Sequence, residues 1–194
     1  MVMPKRKLNP LLPAALLLAL ALPAVAQEAA APAVSQKERI ARLLEELRDP
    51  DEPEWQRVEA DLDREWSKSG SAAMDVLLER GKDAMEQGHE EEAIGHLTAL
   101  TDHAPDFAQG WNVLASAYYR AGMFGPSVEA IGRALALNPN QYESLAGLGL
   151  ILEDTGHEKE ALAAFRAAQA IHPHMPTINE AIERLDHKTG GRSL

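Results

Sequence analysis

Cysteine is absent from this chain. That excludes a disulfide framework, a thiolate metal site and a cysteine nucleophile, and it leaves no residue for a lipoprotein anchor. Aromatic residues are scarce at 5%, although 45% of the 194 residues are hydrophobic, so any core is mainly aliphatic. Basic residues are outnumbered, 19 Lys and Arg against 30 acids, for a net charge of −11. A phosphate-binding surface wants a basic face, so nucleic acid is not an expected partner. No strand-like alternation occurs, no Gly-x-Ser-x-Gly elbow, and no glycine loop placed to cradle phosphate. The one long apolar run, Leu11 to Leu22, spans 12 residues and contains Pro13. A membrane-crossing helix needs about 20.

That run makes sense as a targeting signal. Lys5, Arg6 and Lys7 precede it, and Ala24-Val25-Ala26 supplies a small-x-small cleavage site. The expectation is a secretory signal over 1–26, cleavage after Ala26, and a mature chain that begins at Gln27 in the periplasm. Retention as an anchor is the alternative. Cleavage leaves no stable membrane span.

The dominant feature is a 34-residue period. Segments 74–107, 108–141 and 142–175 align without a gap. Pro105, Pro139 and Pro173 fall 34 apart, as do Gly88, Gly122 and Gly156. Between them lie the columns Leu77/Trp111/Leu145, Gly81/Ala115/Gly149, Ala84/Tyr118/Leu152, Ala93/Ser127/Ala161, Leu97/Ile131/Phe165 and Leu100/Ala134/Ala168. Apolar and small residues recur at helical spacing in two runs, split by the central glycine. The small columns admit close helix contact, and the proline ends each copy. Each copy therefore reads as helix, turn, helix, unable to bury its apolar face except by stacking on its neighbours.

These columns resemble the tetratricopeptide repeat. The second copy carries Trp111, Leu114, Ala115, Tyr118, Ile131, Ala134 and Pro139, and the third Leu145, Leu148, Gly149, Leu152, Ala161, Phe165, Ala168 and Pro173. The first departs at Arg80, where the family prefers an apolar residue. The resemblance implies an all-α, right-handed helical solenoid whose concave groove binds a protein or peptide. It implies no chemistry.

Six helices are expected near 72–87, 90–103, 107–121, 125–137, 141–155 and 158–171, within a repeat region 71–175. Ser71 reads as the first cap. Ahead of them, 27–35 reads as a flexible tail and 36–70 as a helix pair. Ser35 and Glu38 form a capping box, Ile40, Leu43, Leu44 and Leu47 one stripe, and Trp55, Val58, Leu62 and Trp66 a second. Pro53 is expected early in the second helix. The pair reads as a cap over the open end of the solenoid. Its tryptophans read as core, the alternative being exposed anchors for a partner. A capping helix is expected over 176–188, opened by a Thr177/Glu180 capping box, and a disordered tail over 189–194.

Catalytic and metal-binding readings fail on spacing. His89, His96 and His103 recur every seven residues, and seven residues of helix rise about 10.5 Å, too far to share one ion. His89-Glu90-Glu91-Glu92-Ala93 and His157-Glu158-Lys159-Glu160-Ala161 have alanine where a zinc-protease helix has its second histidine. Both fall at the turn between helices, with acids suited to the following helix dipole. His172-Pro173-His174 reads as a surface turn. No catalytic residue, metal ligand or cofactor is assigned.

The resemblance instead places the groove on the first helix of each copy. It picks out Lys82, Asn112, Ser116, Tyr119, Arg120 and Glu153. Asn112 suits a peptide backbone, Tyr119 a flat contact, and Arg120 a carboxylate. The co-chaperone version, which clamps a terminal carboxylate, is not matched: Leu78, Val113, Glu143 and Gly147 stand in its positions, with only Lys82 basic. Acids in the third copy point to a basic or neutral partner segment. The expected function is a non-enzymatic periplasmic adaptor. The alternative is a self-association module that forms homo-oligomers, with a metal-binding protein or enzyme behind both.

Overall fold

The computed structural model describes residues 34–190. The expected signal, its cleavage site, the tail before Val34 and residues 191–194 lie outside that range. Among the described residues there are nine α-helices and no strand. Three consecutive helix pairs correspond to the three sequence copies: α3 (Ala72–Glu86) with α4 (Glu90–His103), α5 (Ala108–Arg120) with α6 (Phe124–Leu137), and α7 (Tyr142–Asp154) with α8 (Glu158–Gln169).

Each pair turns at its glycine. Gly88, Gly122 and Gly156 sit at φ of +73°, +72° and +81°, where a side chain is strained. The next amide closes the helix end: His89 N donates to Ala84 O at 2.8 Å, Met123 N to Tyr118 O at 2.8 Å, and His157 N to Leu152 O at 2.7 Å. Within a pair, the small column lets one helix approach the other. A Cβ on Gly81 would stand 2.5 Å from Leu97 Cγ, and one on Gly149 would enter the Phe165 ring. Leu97 and Phe165 are fully buried there.

Helix α1 (Gln36–Arg48) opens with the expected capping box: Ser35 Oγ accepts from Glu38 N at 3.2 Å, and Ser35 N donates to Glu38 Oε2 at 2.9 Å. Helix α2 (Trp55–Trp66) starts two residues after Pro53, which lies in the preceding turn rather than inside the helix. Ser71 precedes α3 without a side-chain cap bond. The Asp75 carboxylate instead gathers the Ser69 amide at 2.8 Å and its hydroxyl at 2.5 Å. Helix α9 (Pro176–Gly190) begins at Pro176, which puts Thr177 inside the helix rather than at its cap. It runs past Lys188 to Gly190, with Thr189 Oγ1 donating to Leu185 O at 2.8 Å, so residues 189 and 190 belong to the helix rather than to the expected tail.

The N-terminal pair is not an end cap. Its buried residues Leu44, Leu47, Val58, Leu62 and Trp66 share one core cluster with Tyr142 of α7, Phe165 of α8 and Ile178 and Leu185 of α9. The pair reaches the third repeat and the closing helix instead of covering the exposed flank of the first. The apolar stripe of α2 was legible in sequence, but a stripe does not specify which surface it meets.

Candidate functional site

The first helices α3, α5 and α7 present one face, and α2 crosses it. Two i, i+4 rows of α2 do the contacting. Val58, Leu62 and Trp66 are buried, with the Trp66 ring 5.6 Å from Tyr142 of α7. Beside them run Trp55, Glu59 and Asp63. Asp63 accepts from Lys82 of α3 at 3.4 Å and from Gln109 Nε2 of α5 at 3.1 Å. Glu59 lies 3.3 Å from His172, and Trp55 packs on His172 and His174 with ring centroids 5.6 and 5.5 Å away. Arg48 donates to Asn140 at 2.7 Å, and His174 Nε2 to the Asp49 carbonyl at 2.8 Å. Neither tryptophan is an exposed anchor.

Beneath α2 lies a set of buried amides. Gln141 Nε2 donates to Gln109 Oε1 at 2.7 Å, and Asn138 Nδ2 to Gln141 Oε1 at 2.8 Å. Asn112, only 3% exposed, donates to Glu143 Oε2 at 2.5 Å and accepts from Ser144 Oγ at 2.6 Å. Its donor and acceptor are thus both committed inside the fold, and a backbone clamp is not available in this conformation. Burial, and then the neighbouring Asp63 charge, push the Glu143 carboxyl above its ordinary range; Asn112 and Lys82 oppose that shift.

The other expected groove residues are also partnered internally. Lys82 reaches Asp63 and, at 3.1 Å, Ser67. Ser116 Oγ donates to the Asn112 carbonyl at 3.2 Å. Tyr119 donates to Asp154 at 2.9 Å, and its pKa is raised by burial and that carboxylate. Arg120 pairs with Glu90 across the repeat boundary at 3.1 Å, and Glu153 pairs with Arg184 of α9. The acids of the third repeat are therefore met by their own neighbours, and the charge argument for a basic partner segment loses its ground.

Four of the six residues still converge. Asn112, Ser116, Tyr119 and Arg120 line one open pocket of about 270 Å³, completed by Ala146 and Leu150 of α7 and by Met175 and Ile178 at the start of α9. Leu150 is 40% exposed there, a large apolar side chain left without cover. Lys82 stands apart, under α2, and Glu153 does not line the pocket. The residues that sequence reasoning missed are Asp63, Glu59 and His172. The two acids were visible as an i, i+4 pair bordering the α2 stripe. His172, expected in a surface turn, is fully buried, with burial lowering its pKa and neither ring nitrogen in a well-formed hydrogen bond. Nothing in sequence showed that α2 would close over that turn.

Among the described residues, no group of three or more His, Asp and Glu is placed to hold a metal ion. No described helix is long and apolar enough to cross a membrane.

Comparison with known proteins agrees with this fold. A family model described as tetratricopeptide repeat matches residues 78–125 and 127–176. A tetratricopeptide repeat-containing protein of Rhizobium etli is 28% identical over 160 residues, 81% of this chain and 78% of that protein. The fold is similar to the first tetratricopeptide domain of Spaghetti (RPAP3), solved with an HSP90 peptide, at a TM-score of 0.58 and 22% identity over 60% of this chain and 93% of that one. It is also similar to the Yersinia enterocolitica type III secretion chaperone SycD, solved with a peptide of the translocator YopD. There the TM-score is 0.57 and the identity 14%, over 61% of this chain and 96% of that one.

Proposed function

The chain belongs to the tetratricopeptide repeat family, and on that premise we propose that it is a non-enzymatic adaptor that holds a protein or peptide segment on the face of its first helices. The carrying observation is the open pocket between α5, α7 and α9, where Leu150 is exposed beside Ser116 and Tyr119. Similar folds were solved with peptides bound, which supports a binding role for such a face. Ser116 and Tyr119, whose hydroxyls already donate to Asn112 and Asp154, offer the segment acceptor oxygens, and Leu150 and Ala146 give it an apolar seat. Arg120 becomes a carboxylate fork only if the segment draws it from Glu90.

The adaptor acts in the periplasm on this reading. The support is the basic start, the short apolar run and the Ala24-Val25-Ala26 site. Fractionation followed by N-terminal sequencing should find Gln27 first in the periplasmic pool; a cytoplasmic protein with its first residues intact contradicts export.

Affinity capture from a periplasmic extract tests the binding role, using the intact protein and Leu150→Glu. The substitution is at an exposed position, so the helices should form normally. A partner held by the intact protein and lost by Leu150→Glu is the expected outcome. Equal capture by both moves binding off this face.

A further inference from the structure

We propose that α2 is a built-in occupant of the binding face, and that the partner is an amphipathic helix of the α2 type that takes its place. This rests on the reading that the face of the first helices binds a partner. The required pattern is an aromatic residue with carboxylates four and eight positions on, beside a second apolar row.

Four observations carry the proposal. First, α2 contacts all three first helices: Asp63 meets Lys82 of α3 and Gln109 of α5, and Trp66 meets Tyr142 of α7. It thus lies as a bound helix in a groove lies, one face down.

Second, the seam is chemically selective. The Trp55, Glu59, Asp63 row meets His172, His174, Lys82 and Gln109. A helix carrying Lys or Arg in place of those carboxylates would set like charges against Lys82. Lys82 accepts the acidic row there, against the opposing charge of the nearby Glu143 carboxyl.

Third, beyond its packing on the third repeat and α9, the hairpin has one covalent connection to the repeats, Ser67-Lys68-Ser69-Gly70-Ser71, in which Gly70 has φ +85°. That short non-helical link lets α1 and α2 move together without breaking a repeat. Fourth, the seam is incompletely closed. A crevice of about 440 Å³ separates Gln36, Ile40 and Trp66 from Phe107, Gln109 and Gln141. On its other side, the open pocket begins at Asn112 and Glu143. A partner helix can therefore engage the uncovered part of the face before α2 leaves.

Occlusion has a measurable consequence. A ligand that competes with a tethered segment sees only the fraction of molecules in which that segment is lifted. The probe is a fluorescein-labelled synthetic peptide of residues 54–66, added to the full chain. The opening variant is Asp63→Lys, which sets a cation against Lys82. The expected result is peptide binding about tenfold tighter than to the unmodified chain, with unchanged helicity. The charge-swapped chain Asp63→Lys with Lys82→Asp should close again and bind weakly both this peptide and the same peptide carrying Asp63→Lys. Peptide affinity unaltered by Asp63→Lys overturns the proposal. So does loss of repeat helicity in that variant, because α2 is then a permanent part of the core. A stable dimer without peptide also overturns it, in favour of hairpin exchange between copies. Leu150→Glu leaves Lys82 and Asp63 untouched, so the groove reading and this one can fail separately.

Discussion

Gly149 and Phe165 show how individual residues set this architecture. The pair repeats as Gly81 with Leu97 and as Ala115 with Ile131, a small residue on the first helix under a larger one on the second. Gly149→Ala gains helix propensity of up to about 1 kcal/mol. It also drives a methyl into a buried ring, and overpacking costs about 1–3 kcal/mol. The expected outcome is a lower urea midpoint with an unchanged slope; a higher midpoint would mean that the Phe165 ring can yield. Glu143 supplies a second test at this scale. Its folded pKa is raised above the ordinary 4.5 by burial and by Asp63. The folded chain therefore holds that proton more tightly than the unfolded one, and stability is lost as pH rises through the folded value. Glu143→Gln should raise the melting temperature at pH 7, with the gap closing toward pH 4. A gap independent of pH would contradict the assignment. The small columns were legible in sequence because the 34-residue period isolates them. The buried amides were not: Gln109 and Gln141 are of a type mostly found exposed, and they are buried against each other, with Gln109 also bonded to Asp63 of α2.

At the scale of elements, the helix boundaries follow the punctuation of the chain. Glycine at positive φ ends each first helix, and the expected spans of the six repeat helices agree with the observed ones to within two residues. What sequence did not give was the address of α1 and α2. Trp55, Glu59 and Asp63 name the chemistry of a contact but not its partner, because Lys82, Gln109 and His172 lie on three separate elements. The turn between α8 and α9 brings a buried histidine to that contact. His172 is buried among Glu59, Trp55, Tyr142 and His174, and burial is the main cause of its lowered pKa. A histidine held neutral contributes stability that is present above about pH 6.5 and lost as pH falls toward its folded value. Replacement by phenylalanine should flatten the melting temperature between pH 7.5 and 5.5. If the unmodified chain shows no fall over that range, His172 is not the sensitive group.

For the whole molecule, the acidic balance is distributed rather than concentrated. Glu90, Glu153 and Asp186 each meet an arginine from another element, and the pocket lining carries one arginine, Arg120, and one acid, Glu143, so the net charge of −11 is not gathered there. Exposed pairs of this kind contribute only about 0–1 kcal/mol each. Stability rests on the stacked apolar columns, and the proposed recognition on the face where Leu150, Ser116 and Tyr119 line an open pocket. The most direct test of that division is hydrogen exchange on the chain with its captured partner bound. Slower exchange should appear on α5 and α7, around residues 112–120 and 143–150, with α4, α6 and α8 unchanged. Slowing confined to α4, α6 and α8 would place the partner on the opposite side and contradict the account.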